Sequence, residues 1–320
     1  MTALNAPAWL TERPIAHRGL HDAASGVIEN TLQAAEAAIA GGFAIECDIQ
    51  MSADREVFVF HDDTLDRLTD AMGALIKMSA AAIRRARIVS APAPLAGAGR
   101  GGGSRRAGIA ESTLAAQPEI STAGPRTDNG TRSKDGATPH PNPPPQGGRE
   151  SAMPFIPTFA EFLSLVAGRT PVICELKSRF DGDWRIADRA AALACAYEGR
   201  LALKSFDPDL VAYLRLRSPR LGATGRPCPI GVVAQASYDD PAWDVLTAEQ
   251  KRDWTTFEHF DRLRPDFLSW CVDDLPHKVP FLMKELNGAP VMAWTVRNAT
   301  QREAAAKWAD QFVFEGDGRP

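Results

Sequence analysis

No apolar run in this 320-residue chain approaches the ~20 residues that a membrane-spanning helix needs, so no membrane span is expected. Neither sign of charge dominates. Lys and Arg total 36 against 40 Asp and Glu, a net charge of -4, and no nucleic-acid partner is expected from so small an imbalance. Cysteine is sparse: Cys47, Cys174, Cys195, Cys228 and Cys271 include no C-x-x-C pair. An odd, scattered set excludes a disulfide scaffold, no Cys or His ligand spacing suggests zinc, and the cysteines point to reduced thiols in a cytoplasmic protein. Residues 1–13 lack the basic start and apolar stretch of a secretory signal. There is no G-x-S-x-G elbow and no phosphate-cradling glycine loop. The balance of 44% hydrophobic and 24% charged residues fits an ordinary soluble domain. Nothing in it speaks to oligomeric state.

One stretch is poor in everything a core requires. Residues 91–150 contain no aromatic residue, and only Leu95, Ile109, Leu114 and Ile120 among the larger aliphatic side chains. Glycine and proline make up a third of the segment. Such a composition buries too little apolar surface to offset the entropy of ordering it. The prolines of residues 139–145 favour extended polyproline geometry. Residues 88–153 are therefore expected to be a low-complexity, disordered insertion within a single domain spanning 1–320. Loop-closure cost grows slowly with length, so the chain can fold around it.

The remaining residues, about 260, are close to the ~250 typical of a (β/α)8 barrel. Short apolar strands at 14–17, 43–49, 57–61, 171–177, 201–206, 229–234, 266–271 and 290–296 alternate with helical stretches, the pattern of a parallel sheet. Thr31 to Ala40 reads as a helix stopped by Gly41-Gly42, with Leu32, Ala35 and Ile39 on one face. Thr158 and Glu161 fit a capping box, with Gly168 ending that helix, and Asp207-Pro208 reads as an N-cap followed by proline. A ninth apolar run at 311–315 leaves nine candidates for eight places. Only residues 50–56 separate the second and third strands, too few for a crossover helix. A hairpin is the easier connection by length but would put His61 at the wrong end of its strand. A helix-free crossover, with a reach of roughly 23 Å, would keep His61 at the carboxyl end of a third barrel strand.

Charged residues interrupt these strands with period two. In the second strand, Ile45, Cys47 and Ile49 share one face while Ala44, Glu46 and Asp48 share the other. If the apolar set faces the helices, both carboxylates point into the barrel mouth, where like charges require a cation between them or a salt-bridge partner. In the fourth strand, Ile173, Glu175 and Lys177 share a face. Three carboxylates with a lysine suit a hard divalent cation beside a phosphate, and an internal Glu175–Lys177 pair is the structural alternative. His17 and His61 close the first and third strands, at the ends where barrel enzymes assemble their chemistry. Histidine titrates near neutrality and serves as general acid or base.

The ordered set His17-Arg18-Gly19, Glu29-Asn30-Thr31, Glu46-x-Asp48, the run from His61 to Arg67, Glu175-x-Lys177, Ser205-Phe206 and Trp294-Thr295-Val296 resembles the glycerophosphodiester phosphodiesterase family. That resemblance implies a (β/α)8 TIM barrel that hydrolyses small-molecule glycerophosphodiesters to sn-glycerol 3-phosphate and an alcohol. It implies that Glu46, Asp48 and Glu175 bind one divalent cation, Mg2+ or Ca2+. His17 and His61 become the acid–base pair, either one the acid, and Arg18 and Lys177 the phosphate-binding residues. Attack by water and attack by a glycerol hydroxyl through a cyclic phosphate both remain open. Trp294 is either an apolar wall for the glycerol carbons or core packing beside Met292. Glu29 could orient Arg18, and Asn30 could cap the next helix. A lysophospholipase D-like activity and a non-catalytic phosphodiester-binding barrel are the alternatives. Lys204 and Glu315-Gly316 depart from the family pattern, which more often has a small or apolar residue and Thr-Asp there; neither is expected to touch the metal or histidine set, and both could change which alcohol is accepted. The family's compact insertion after the third strand corresponds to a region, from about Leu68 to Pro154, that here is long and largely low-complexity.

Overall fold

The computed structural model describes residues 6–89, 154–217 and 228–320. Most of the stretch expected to be the insertion, residues 90–153, lies outside the described residues. In chain order the elements are β1 (Ile15–Ala16), α1 (Leu32–Ala40), β2 (Ala44–Met51), β3 (Val57–Val59), α2 (Ala80–Ile83), α3 (Phe159–Val166), β4 (Val172–Leu176), α4 (Arg185–Ala196) and β5 (Leu201–Ser205). Then follow α5 (Pro208–Arg217), β6 (Ile230–Ala234), α6 (Ala248–Thr256), α7 (Phe260–Leu263), β7 (Phe267–Cys271), α8 (Lys278–Asn287), β8 (Val291–Val296), α9 (Ala299–Trp308) and β9 (Gln311–Phe314). The caps follow the local sequence. Thr158 and Glu161 form the capping box of α3, and Asp207 accepts from the N–H groups of Asp209 and Leu210 at the start of α5.

Strands β1, β2, β4, β5, β6, β7, β8 and β9 are parallel neighbours, and β1 pairs with both β2 and β9 to close the barrel. The ninth candidate is thus the eighth barrel strand. The third is not a barrel strand at all: β3 runs antiparallel to β2 as a hairpin. This corrects the extended crossover, and the reason is the length of β2. It continues two residues past its last partner in β4, so Gln50 and Met51 pair only with β3. The hairpin therefore turns back above the barrel and returns His61 to the level of Asp48, whose carbonyl accepts from the Phe60 N–H at 3.0 Å.

Side chains sort by parity. Ile45, Cys47, Ile49, Val172, Cys174 and Leu176 pack outward against the helices, whereas Ile15, Ala44, Ile173, Ala202, Phe267, Met292 and Val313 fill the barrel floor. In α1 the buried face is Ala34, Ala35 and Ala38, with Leu32 and Ile39 only half-buried. Small side chains are needed there because the loop after β1 lies directly on Ala34. A separate small core of Ile28, Phe58, Phe60, Leu65, Leu68, Leu75, Ile83, Ile88 and Ile156 sits under the hairpin. Ile88 donates its N–H to the Pro154 carbonyl at 2.8 Å, so the two chain ends that flank the low-complexity stretch meet. No helix among the described residues is long and apolar enough to cross a membrane.

The floor depends on a glycine. A Cβ on Gly231 would lie 2.4 Å from the Phe267 ring, which is fully buried in the barrel. Gly231→Ala should lower unfolding free energy by roughly 1–3 kcal/mol, the usual scale of overpacking. Urea denaturation would measure it, and adding Phe267→Leu should recover most of the loss.

Candidate active site

Charges inside a closed barrel persist only when each meets an opposite one. Glu46 and Asp48 project inward from β2. Glu175 of β4 stands beside Asp48 in register, and Lys204 of β5 beside Glu175. All four are buried. Lys204 Nζ lies 3.1 Å from Glu46 Oε1 and 3.8 Å from Glu175 Oε2. Lys177 Nζ lies 2.7 Å from Glu175 Oε1 and 3.0 Å from Asp48 Oδ1, so the internal lysine pair weighed as an alternative is present. Even so, one carboxylate oxygen from each of Glu46, Asp48 and Glu175 lies within 4.8 Å of the others, a group that could hold a metal ion. An all-oxygen donor set of this kind is what hard divalent cations take. Burial pulls the Asp48 carboxyl upward, but Lys177 and its other positive neighbours outweigh this and hold it well below the usual carboxylate range. Burial would lower the Lys204 ammonium, yet Glu46 and Glu175 override it and hold it above its ordinary value.

The loop after β1 adds a cation from another direction. Arg18 has a φ of 55° and Gly19 one of 80°, and a Cβ on Gly19 would meet the Ala34 backbone at 2.8 Å. Only glycine lets the loop lie this close to α1. The turn aims Arg18 at the mouth, with Nη1 donating to Glu29 Oε1 at 2.7 Å and Nε 3.2 Å from Asp48 Oδ2. Glu29 thus does orient Arg18. Glu29 also accepts from Arg67, which in turn donates to Asp62, and Asp62 lies 2.8 Å from His61 Nδ1. A continuous line of charge-assisted hydrogen bonds therefore joins Arg18 to His61. Burial alone would raise Glu29, but Arg18 and Arg67 hold it at about 2.

Asn30 does not cap the helix, one of the roles open to it. Thr31 caps α1 by accepting from the Ala34 N–H. Asn30, buried with a φ of 57°, instead braces Asp48: its Nδ2 donates to Oδ2 at 3.0 Å, and the Asp48 N–H donates to Asn30 Oδ1 at 3.2 Å.

The two histidines reach the same mouth, each backed by a carboxylate. His17 Nε2 is 4.0 Å from Glu46 Oε2, and its Nδ1 is 2.7 Å from Glu315 Oε2. His61 Nδ1 faces Asp62, and Gln50 Nε2 donates to the carbonyls of His61 and Asp62. A carboxylate only accepts, so each Nδ1 carries a proton and leaves Nε2 as the open nitrogen of the neutral ring. Burial, then the charges of Arg18 and Lys177, push His61 down to about 4. Trp294 is half-buried, its Nε1 donating to the Ser269 carbonyl at 3.0 Å and its ring edge-on to Phe206 at 5.4 Å. Its packing role is thus realised.

The profile of the glycerophosphoryl diester phosphodiesterase family matches residues 17–316, and so covers both histidines and all three carboxylates. The chain belongs to this family. Its fold is shared with an Oleispira antarctica phosphodiesterase solved in complex with the product sn-glycerol 3-phosphate (16% identity, 97% of this chain and 95% of that one, TM-score 0.62). It is also shared with glycerophosphodiester phosphodiesterases from Agrobacterium tumefaciens (17%, 95% and 95%, 0.53) and Thermotoga maritima (16%, 95% and 94%, 0.55). No protein of curated function matches significantly.

For a member of this phosphodiesterase family, both departures from the sequence pattern fall at the site. Lys204 reaches the carboxylates, and Glu315 reaches His17. This corrects the expectation that neither departure touches the metal or histidine set; the available signal was that each residue stands two positions after an inward-facing one, Ala202 or Val313.

Replacing Lys204 with methionine would leave Glu46 without its nearest cation. Lys204→Met should destabilise the metal-free protein by roughly 3–5 kcal/mol, the scale for breaking a buried pair. Urea denaturation with Mg2+ present should show a clearly smaller loss. A second prediction concerns pH. The unfolded chain protonates His61 near the ordinary 6.5, whereas the folded, metal-free protein does so only near 4. Its contribution to stability is complete above 6.5 and is lost as pH falls through that window. NMR of the His61 ring should give the low midpoint, and His61→Phe should flatten that part of the stability–pH curve.

Proposed function

We propose that the protein hydrolyses glycerophosphodiesters to sn-glycerol 3-phosphate and an alcohol, with one divalent cation held by Glu46, Asp48 and Glu175. The carrying observation is the buried carboxylate group set between two histidines that each have a carboxylate behind Nδ1. When bound, a hard cation such as Mg2+ or Ca2+ supplies Lewis acidity to a phosphoryl oxygen. Charge supports this reading. Arg18, Arg67, Lys177 and Lys204 face five carboxylates, Glu29, Glu46, Asp48, Asp62 and Glu175. A divalent cation turns that deficit of one positive charge into an excess of one, and a phosphodiester carries a single negative charge.

Arg18 presents a planar fork to two phosphate oxygens, and Lys177 a point charge. One histidine Nε2 takes the proton of the attacking hydroxyl while the other histidine returns a proton to the leaving alcohol oxygen. The P–O bond to the alcohol breaks as the new P–O bond forms. Both water attack and a cyclic phosphate route need these two transfers. Trp294 lines the glycerol side. The substrate is a small molecule and the setting the cytoplasm, a reading that the odd, scattered set of cysteines supports. Residues 88–153 are taken as an insertion within a single domain of residues 1–320.

Release of glycerol 3-phosphate from glycerophosphocholine, with Mg2+ or Ca2+ and then with a chelator, tests the reading. Turnover should need the cation, and His17→Ala or Glu46→Ala should each lower kcat by at least about a hundredfold. Cation-independent turnover, or full activity in either variant, would overturn it. Activity on a lysophospholipid but on no glycerophosphodiester would instead indicate the lysophospholipase D-like chemistry.

A further inference from the structure

A second group of possible metal ligands lies behind His17, away from the carboxylates. It consists of His17, His21 and Glu315, each of which offers one ligand atom within 4.8 Å of the others. Glu315 Oε2 is 2.7 Å from His17 Nδ1 and 3.9 Å from His21 Nε2, while its other oxygen is held by Arg297. His21 Nε2 is shielded from solvent and has no hydrogen-bond partner. Burial, the largest influence on His21, lowers its pKa and so favours the neutral ring that can act as a ligand. Two imidazoles and one carboxylate differ in kind from the all-oxygen group on the other side of His17. Imidazole nitrogen favours zinc, cobalt, nickel and copper over Mg2+ and Ca2+. In a tetrahedral zinc site with bonds of ~2.0–2.1 Å, neighbouring ligand atoms stand roughly 3.3 Å apart. Reaching that spacing requires the 2.7 Å contact to open and the 3.9 Å contact to close by about 0.6 Å each, within the reach of small side-chain rotations.

We propose that His17, His21 and Glu315 form a second, nitrogen-rich metal site whose occupation by Zn2+ or a similar transition-metal ion switches the enzyme off. The inhibitory part rests on His17 acting as acid or base, as argued above; the binding part does not. In the neutral ring, Nδ1 donates to Glu315 and Nε2 is free. Coordination through Nδ1 breaks that hydrogen bond, and the ring proton moves to Nε2. With Nε2 protonated and Nδ1 bound to the metal, the ring can no longer accept a proton. As a proton donor it is a neutral imidazole, a far weaker acid than imidazolium. Either assignment of roles to the two histidines therefore ends in lost turnover.

The test uses the full chain. Co2+ is added to metal-free protein, and visible spectra are recorded for wild type, Glu46→Gln, His21→Phe and His21→Gln. A four-coordinate Co2+ site absorbs intensely, whereas an octahedral oxygen site absorbs weakly. The intense band should appear in wild type and in Glu46→Gln and be absent from both His21 variants. In parallel, glycerol 3-phosphate release in saturating Mg2+ is titrated with Zn2+. The His21 variants should keep wild-type turnover without zinc, and should need about tenfold more Zn2+ or beyond for half-inhibition, the scale on which even an outer-shell partner changes metal affinity. An intense band that survives both His21 substitutions, no such band in wild type, or equal zinc sensitivity in all forms would overturn the proposal. Should the chain show no turnover at all, the functional reading fails while the Co2+ spectra still decide the site.

Discussion

Three carboxylates share the mouth of a closed barrel, and the local structure is arranged to make that tolerable. Closing eight parallel strands forces alternate side chains into a space without bulk water, where an unpaired charge is unstable. Glu46, Asp48 and Glu175 are therefore met from three directions: by Lys204 from the neighbouring strand, by Lys177 above Glu175, and by Arg18 from the loop after β1. The left-handed backbone at Arg18 and Asn30, and the close approach that only Gly19 permits, follow from the need to bring that loop over the carboxylates. The same ion pairs that keep the site folded hold the Asp48 carboxyl well below its usual range.

Two supporting lines cross at this centre. One runs Arg18–Glu29–Arg67–Asp62–His61 and ties a phosphate-facing cation to one histidine. The other runs from Arg297 through Glu315 to His17 and ties the last barrel strand to the first. Each histidine thus has its tautomer set from behind by a carboxylate whose own charge is balanced by an arginine. His61 stands on a hairpin outside the barrel rather than on a barrel strand, so the two groups are held by separate parts of the fold. Gln50, from the part of β2 that overshoots the barrel, fixes the backbone at His61.

Much of this was legible in the residues. Period-two alternation in 43–49 and 171–177 separated the charged face from the apolar one, because strand geometry permits no other sorting. Helix starts at Thr158 and Asp207 were readable because capping is a local interaction among neighbours. The place of β3 was not readable. Hairpin and crossover both fit a seven-residue connection, and the deciding fact, that β2 outruns β4, depends on where a distant strand ends. Asn30 misled for a related reason: it stands where a cap would, but the hydroxyl of Thr31 takes that role and frees the amide for Asp48.

What the sequence by itself determined is the charged face of the second and fourth strands, with Glu46, Asp48, Glu175 and Lys177 in their order along the chain, and a folded length suited to a barrel, all of which rest on local periodicity and composition. What only the tertiary structure decided is which charge meets which. Lys204 with Glu46, Glu315 with His17 and Asn30 with Asp48 are contacts between elements far apart in the chain or aimed by unusual backbone angles. Such pairings are set by strand register and barrel closure, which belong to the whole sheet rather than to any one segment. The physical reason is that a buried charge is stabilised by distance to its partner, and distance across a closed barrel is fixed only once the last strand has joined the first.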